Sequence, residues 1–415
     1  MAGFLLRQNR NFRLLFSASA ISNLGDGVSS LALPWFATLL TRDAFLISLV
    51  AMAGRLPWFL FALPAGVWTD RADRQQMMVR ADIVRMFLTL GVIALILSTP
   101  VLPLPEGAGS GMILALAALT FLLGTAEVLR DNAAQTILPS IVAAADLERA
   151  NGQIWSAEQV MNQFVGPPLA GALIAFGVTL PFGLDAATFA AAAALVWMLT
   201  LPAHVPPARR AFVSELKEGF VWLRGHRVIL QLAVILGITN AVFTAAMVML
   251  ALYSQELLGL GAFGYGLLLT AGAAGGVLAG LAGPAIAARF GALRTVLTSL
   301  GVFGIAYLAL GLWPTIPIVA TALFCDAFAG VLWNIVTVSY RQRIIPRDIL
   351  GRVNSIYRFF GWGMMPMGAV IGGLLVSLLE PNIGRQAALL APFLLAGVIT
   401  SGLFLYAALC VRLPD

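Results

Sequence analysis

Several ionisable side chains of this 415-residue sequence lie inside long apolar stretches, where charge is costly. Insertion scales put the cost at about 2.5–3.5 kcal/mol for a charge at the centre of a lipid bilayer. Such side chains are therefore expected to carry protons, to bind a charged molecule or to pair with an opposite charge. The candidates are Asp26, Arg55, Glu127, Arg130, Asp131, Glu158 and Asp326.

Asp26 and Arg55 are predicted to lie at the same depth. Each is about 13 residues, or ~20 Å of helix, from the end of its helix that faces the same side of a membrane. One interpretation makes Asp26 a proton-binding or cation-binding carboxylate whose charge Arg55 influences. The other makes the two a fixed ion pair that joins two helices. The spacing leaves both interpretations open.

The remaining candidates fall into a triplet and two separate acids. Glu127, Arg130 and Asp131 are spaced i, i+3 and i+4, so they share one helix face. They either line a cavity in which protons move or form a neutralised internal triplet. Glu158 is followed by polar residues at helical spacing, which favours contact with water, and Asp326 has no basic residue at its depth. Carboxyl groups of this kind can carry protons.

Other chemistry is excluded by what the sequence lacks. Its two histidines, His204 and His226, flank a polar segment and cannot form a relay inside the apolar stretches. Gly259–Gly264 matches a dinucleotide fingerprint but follows no strand, and the sole lysine, Lys217, excludes a Gly-Lys-Ser/Thr phosphate loop. We therefore expect no enzyme, no metal and no bound cofactor. Arg85 is expected to extend its guanidinium to the membrane interface.

The composition indicates what must position these side chains. Hydrophobic residues make up 60% of the chain and charged residues 11%, and the mean hydropathy is +0.92. Soluble domains have about 25% charged residues, so this chain has too few to cover a water-facing surface. Its two cysteines, Cys325 and Cys410, lie in apolar runs, which excludes a disulfide scaffold. The composition is that of a multi-pass membrane protein.

Apolar stretches of about 20 residues, the length of a membrane helix, recur along the whole sequence. They predict an all-α membrane protein with twelve spans, near residues 12–40, 45–69, 78–99, 111–138, 151–177, 182–201, 228–254, 263–289, 293–312, 315–340, 353–379 and 386–411. With both termini in the cytoplasm, Arg42 and Arg385 are the only basic residues left on the outer face. The net charge of +6 therefore reflects topology and not a nucleic-acid partner.

The chain is predicted to form two six-helix bundles, residues 1–201 and 228–415. Residues 202–227 between them turn polar, and apolar residues at helical spacing predict an amphipathic cytoplasmic helix in this linker. Corresponding loops of the two halves share a Leu-x-Arg-x-Asn pattern, at Leu147–Asn151 and Leu350–Asn354. This internal similarity favours one six-helix unit used twice.

The loop after the second predicted span reads Gly-Val-Trp-Thr-Asp-Arg-Ala-Asp-Arg, residues 66–74. It resembles the signature Gly-x-x-x-Asp-Arg-x-Gly-Arg of the major facilitator superfamily. The matching residues are Gly66, Asp70, Arg71 and Arg74. Asp73 replaces the second glycine, and aspartate accepts a left-handed turn better than most residues do. The second half keeps only Arg289 and Gly291 of the pattern.

The resemblance implies a fold of two pseudo-symmetric bundles that opens a cavity to each side of the membrane in turn. It implies that the signature loop latches the cytoplasmic ends of the two halves together, and that the proton gradient drives transport without a cofactor. Further stretches, among them Asn23–Asp26 and Leu350–Asn354, resemble the branch of bacterial exporters that includes the enterobactin exporter and the macrolide efflux proteins.

The function implied by this branch is proton-driven export of a lipophilic or amphiphilic small molecule. The exporter is expected to be a monomer in the bacterial inner membrane, in contact with membrane lipid. An uptake carrier or lipid flippase of the same fold is one alternative, and a membrane scaffold or sensor that transports nothing is another. Buried carboxylates favour transport, since a scaffold has no need to bear their insertion cost.

Overall fold

A computed structural model describes residues 3–105, 107, 109–143, 146–201, 212–346 and 349–412 of the chain. Within these ranges the regular elements are helices, and none of the residues forms a β-strand. The prediction of an all-α protein is therefore confirmed.

The helices of the first half follow one another with short connections. They are α1 Gly3–Gln8, α2 Arg10–Leu40, α3 Ala44–Arg71, α4 Arg74–Ser98, α5 Ser110–Ile137, α6 Leu147–Glu158, α7 Gly166–Phe176 and α8 Leu180–Trp197. Between α6 and α7 the helix continues as a π-helical segment, Gln159–Val165. Such segments are rare, and they occur frequently at functional sites.

The second half begins with α9, Phe212–Gly225, which is the helix predicted in the linker. Residues 202–211 of that linker lie outside the described residues. The helices that follow are α10 Arg227–Val248, α11 Leu250–Glu256, α12 Ala262–Phe290, α13 Ala292–Leu312, α14 Ile316–Ile344, α15 Leu350–Gly363, α16 Met365–Ile383 and α17 Arg385–Cys410.

Ten segments of the described chain are long and apolar enough to cross a membrane, as expected of a multi-pass membrane protein. The predicted spans near 12–40 and 151–177 correspond to α2 and to the run from α6 to α7, which are not among the ten. Polar residues such as Asn23 and Asp26 lower the hydropathy of α2, and α6 and α7 are only 12 and 11 residues long. The count of twelve spans stays a prediction.

The chain divides into two compact units. The first consists of Met1–Arg42, Ala53–Ala208 and Gly261–Leu267, and the second of Asp43–Met52, Arg209–Leu260 and Leu268–Asp415. Each unit thus includes one short segment from the other half of the sequence.

In the first unit α8 packs against α2 and α4, and α4 packs against α5. The backbones of α2 and of the π-helical segment approach each other closely. A β-carbon at Gly27 would overlap the backbone of Asn162, whose Cα would lie 2.7 Å from it. Small residues permit this kind of contact between membrane helices. These helices carry four of the seven candidate residues, namely Asp26, Glu127, Arg130 and Asp131.

In the second unit α13 packs against α14 and α17, and α10 packs against α16. The Tyr253 hydroxyl donates to the Leu310 carbonyl oxygen at 2.7 Å, and its ring centroid lies 4.9 Å from that of Phe393. All three residues are buried. A tyrosine whose hydroxyl has a partner can occupy an apolar core in this way.

Candidate functional site

An ion pair joins α2 and α4 in the first unit. Arg85 Nη2 contacts Asp26 Oδ1, and Arg85 Nη1 donates to Ser22 Oγ at 3.3 Å. The guanidinium carbon also lies 4.0 Å from the ring centroid of Phe189 on α8. The Arg85 side chain is only 3% exposed, whereas that of Asp26 is 19% exposed. Arg85 is thus held on three sides, and Asp26 is the accessible member of the pair.

The expected pairing of Asp26 with Arg55 is therefore wrong. The Arg55 side chain is exposed, and its charge acts on Glu127. The expectation that Arg85 extends to the interface is also wrong, because its guanidinium is buried among the helices and pairs with Asp26.

A second set of contacts extends this pair into a chain of alternating charge. Asp82 Oδ1, on α4, lies 3.9 Å from Arg85 Nη1 and 3.6 Å from Arg130 Nε on α5. Arg130 Nη1 in turn lies 3.4 Å from Asp131 Oδ1. Asp26, Arg85, Asp82, Arg130 and Asp131 thus form what we call the ion-pair chain, which runs from α2 through α4 to α5.

The charges that remain accessible in this region are mostly negative. Both guanidinium groups of the ion-pair chain are about 3% exposed, whereas the Asp131 side chain is 33% exposed. Glu127 and Glu158 are half-buried. Glu158, at the end of α6, is close enough to Asp131 and Arg130 for their charges to act on it. The structure therefore brings the predicted acids of the first half together around buried arginines.

Two buried carboxyl groups escaped prediction as site residues. Asp82 is fully buried within the ion-pair chain. Asp185, on α8, is 1% exposed and its Oδ2 accepts hydrogen bonds from Ser29 at 2.5 Å and Thr89 at 3.3 Å. Asp185 lies three residues into the span predicted at 182–201. Its position inside an apolar stretch was the signal that could have revealed it.

Asp326 belongs to the second unit and is described apart from the ion-pair chain. Its side chain on α14 is buried, and the Tyr307 hydroxyl on α13 lies close enough to interact with it. The Asp326 Oδ1 atom has no hydrogen bond to any described residue. The sequence indicated no basic residue at the depth of Asp326, and the structure places a tyrosine beside it.

The signature loop is described only in part. Gly66, Asp70 and Arg71 lie in the last turns of α3, but their side chains fall outside the described residues. Arg74 Nη1 donates to the Thr136 carbonyl oxygen at 2.9 Å, which ties the start of α4 to the end of α5. The latch itself is therefore a prediction.

Asp73 has a different role from the glycine that it replaces. Its φ of −65° is not left-handed, and Oδ1 accepts a hydrogen bond from the Gln76 backbone N–H at 3.0 Å. Asp73 is thus the N-cap of α4, a position that aspartate favours. In the second copy Gly291 adopts a φ of 77° before α13, a conformation that suits glycine. Arg289 is exposed there, 5.8 Å from the Phe290 ring centroid.

Comparison of the sequence with known proteins identifies a family and several relatives. The model of a family described as "Transmembrane secretion effector" matches residues 4–408. The chain is 27% identical over 403 residues to the multidrug efflux pump Tap of Mycolicibacterium fortuitum, with 93% of this chain and 94% of that protein covered. It is 26% identical over 392 residues to the enterobactin exporter EntS of Shigella boydii, with 92% and 89% covered.

A solved structure supports the same fold. A bacterial homologue of the iron transporter ferroportin superposes with a TM-score of 0.74 at 17% identity, covering 95% of this chain and 98% of that one. The resemblance to major facilitator exporters is therefore confirmed. The chain belongs to the transmembrane secretion effector family of the major facilitator superfamily, and is a multi-pass membrane transporter of the efflux type and not an enzyme.

Proposed function

We propose that this transporter exports lipophilic or amphiphilic small molecules in exchange for protons, by alternating access. The observation that carries the proposal is the ion pair between Asp26 and Arg85, in which an accessible carboxylate neutralises a buried guanidinium. The proton gradient is the driving force, and the transporter uses no cofactor. We place it as a monomer in the bacterial inner membrane, with both termini in the cytoplasm and lipid around it.

A proton that binds Asp26 removes the negative charge that holds Arg85. The guanidinium then keeps only Asp82, at 3.9 Å, as a carboxylate in contact. Asp26 belongs to α2 and Arg85 to α4, so protonation weakens the ionic link between these two helices. A gain or loss of one such link can shift the balance between two helix arrangements. Protonation is thereby coupled to movement.

The accessible acids indicate the charge of the substrate. Asp26, Glu127, Asp131 and Glu158 are accessible in part, whereas Arg85 and Arg130 are buried. A cationic or neutral amphiphile fits these surroundings, because an anion would meet like charge. A cationic headgroup near Asp131 and Glu158 also competes with protons for the same carboxylates. That competition is the physical basis of an exchange of substrate against protons.

The signature loop is proposed to stabilise one of the two states of the transporter. Asp70, Arg71 and Arg74, with Gly66 for close approach, supply its charged groups in the first half, and Arg289 with Gly291 remain from the second copy. Charged groups at helix ends can form and break such contacts as the transporter changes state.

Purified protein in liposomes with an imposed pH gradient tests the proposal. The probes are tetraphenylphosphonium and ethidium as lipophilic cations, a macrolide, and a catecholate siderophore. We expect the wild type to move at least one cationic probe against its concentration gradient and to favour the cations over the siderophore. Failure to move any of them under the gradient would overturn the proposal.

The substitution Asp26→Asn separates proton coupling from binding of the probe. We expect it to abolish uphill movement of the probe while binding persists, because asparagine cannot exchange a proton with water but Asp131 and Glu158 remain to bind a cation. Asp43→Asn is the matched control, since Asp43 is exposed and its Oδ1 accepts from the Phe45 and Leu46 backbone N–H groups, as asparagine also can. Uphill transport that survives Asp26→Asn would refute the role of Asp26.

A further inference from the structure

Asp185 is a buried carboxyl that the transport mechanism above does not use. Its Oδ2 accepts two hydroxyl hydrogen bonds, from Ser29 on α2 and Thr89 on α4, and none of the described guanidinium groups forms a salt bridge with it. Its Oδ1 is buried and has no hydrogen-bond partner within the described part of the chain. An unpaired charge in such a position is far more costly than a neutral carboxyl group.

The three helices packed against α8 determine which charges face Asp185. From α2 it faces Asp26, and from α4 it faces Arg85, and these two charges act on it across the junction. The sequence of α7 contains no ionisable side chain. Asp185 therefore senses one acid and one base, and those two form the ion pair between α2 and α4.

Arg85 is placed to serve both carboxyl groups. Thr89, which donates to Asp185, lies one turn beyond Arg85 on α4, and Phe189, under the guanidinium, lies one turn beyond Asp185 on α8. The charge of Asp185 already acts on Arg85 in the arrangement with Asp26. Arg85 therefore lies near two carboxyl groups on different helices, Asp26 on α2 and Asp185 on α8.

We propose that Asp185 is a second proton-binding site, and that Arg85 moves from Asp26 to Asp185 when Asp26 takes up a proton. In the first state Asp26 is ionised and paired with Arg85, and Asp185 carries a proton on Oδ1. In the second state Asp26 carries the proton, and Asp185 has released its own to solvent and pairs with Arg85. Arg85 stays protonated throughout, so one proton is bound for each proton released.

Infrared difference spectroscopy of the purified protein tests this proposal without any substrate. A protonated carboxyl gives a C=O stretching band that its ionised form lacks. We expect a buried carboxyl band in the wild type that Asp185→Asn removes. In Asp26→Asn the same band should lose at least half of its intensity at the same pH, because Arg85 is then free to pair with ionised Asp185.

Two further variants keep the test decisive. Ser29→Ala preserves the carboxyl but removes the 2.5 Å hydrogen bond, so the band should move to higher wavenumber even where Asp185→Asn does not fold. Asp43→Asn is the control, since this exposed carboxylate lies outside the ion-pair chain and should contribute no buried carboxyl band. A band that survives Asp185→Asn, or that Ser29→Ala does not move, would overturn the proposal.

The inference rests on the proposed proton coupling, but the two can fail separately. In one outcome, Asp185→Asn removes the band but the wild type transports none of the probes. Asp185 would then be a proton-binding site in a protein that does not exchange protons for those probes. In the other outcome, the wild type transports a probe in exchange for protons but Asp185→Asn leaves the spectrum unchanged. That result would leave the proposed function intact and refute the second proton-binding site.

Discussion

Replacement of Arg85 by methionine perturbs the ion-pair chain at its centre. Methionine has similar length and is apolar, so the substitution removes charge with little change in volume. Asp26 then has no guanidinium in contact, and Asp82 keeps only Arg130, at 3.6 Å. The contact with the Phe189 ring and the hydrogen bond to Ser22 are lost as well.

The magnitude follows from these contacts. Two unit charges about 4 Å apart attract with about 4 kcal/mol at an effective dielectric constant of 20. Breaking a buried pair by removing one partner costs about 3–5 kcal/mol, because the remaining charge stays buried. The Asp26 side chain is 19% exposed and regains some hydration, which favours the lower end of this range. We therefore expect Arg85→Met to lower the free energy of unfolding by about 3 kcal/mol.

Denaturant titration in detergent micelles, followed by tryptophan fluorescence, measures this change. Arg55→Met is the matched control, because Arg55 is exposed and should cost no more than about 0.5 kcal/mol. Asp26→Asn added to Arg85→Met should recover at least about 1 kcal/mol, since it removes the unpaired charge. The reasoning would be refuted if Arg85→Met lowered the free energy of unfolding by less than about 1 kcal/mol. It would also be refuted if double-mutant cycles showed an interaction energy between Asp26 and Arg55 and none between Asp26 and Arg85.

Two further predictions concern stability. Gly27→Ala should lower the free energy of unfolding by about 1–3 kcal/mol, because the added methyl overlaps the Asn162 backbone. The control Gly152→Ala lies in open space on α6 and should raise the free energy of unfolding by up to about 1 kcal/mol. Equal effects of the two substitutions in the same titration would contradict the packing of α2. Arg385→Gln breaks contacts to two partly exposed carboxylates, Glu256 at 2.9 Å and Glu380 at 2.9 Å. It should lower the free energy of unfolding by about 1 kcal/mol, and this loss should shrink at high salt. The loss caused by Arg85→Met should not change with salt.

Helix positions could be predicted wherever apolar runs end sharply. The spans expected at 111–138 and 386–411 match α5, Ser110–Ile137, and α17, Arg385–Cys410, to within one residue. The run expected at 151–177 is instead divided by a π-helical segment. Polar side chains between Glu158 and Gln163 signalled an unusual stretch, but hydropathy carries no information about the hydrogen-bond register of a helix.

The partner of Asp26 was beyond prediction for a different reason. A sequence gives the depth of a residue along its own helix, but not which neighbouring helix its side chain faces. Arg55 and Arg85 were both basic residues in adjacent predicted spans, and packing of α8 against α2 and α4 selects Arg85. Once Arg85 is known to be buried among these helices, its charge needs a partner in the core.

The charge balance of the first unit links its structure to its function. The carboxyl groups around the two buried arginines of the ion-pair chain are Asp26, Asp82, Glu127, Asp131, Glu158 and Asp185. Even with Arg55 acting on Glu127, the acids outnumber the bases. In an apolar surrounding this excess of negative charge must be neutralised. Protons can neutralise it, and so can a cationic molecule, and the proposed exchange of substrate against protons rests on competition between the two.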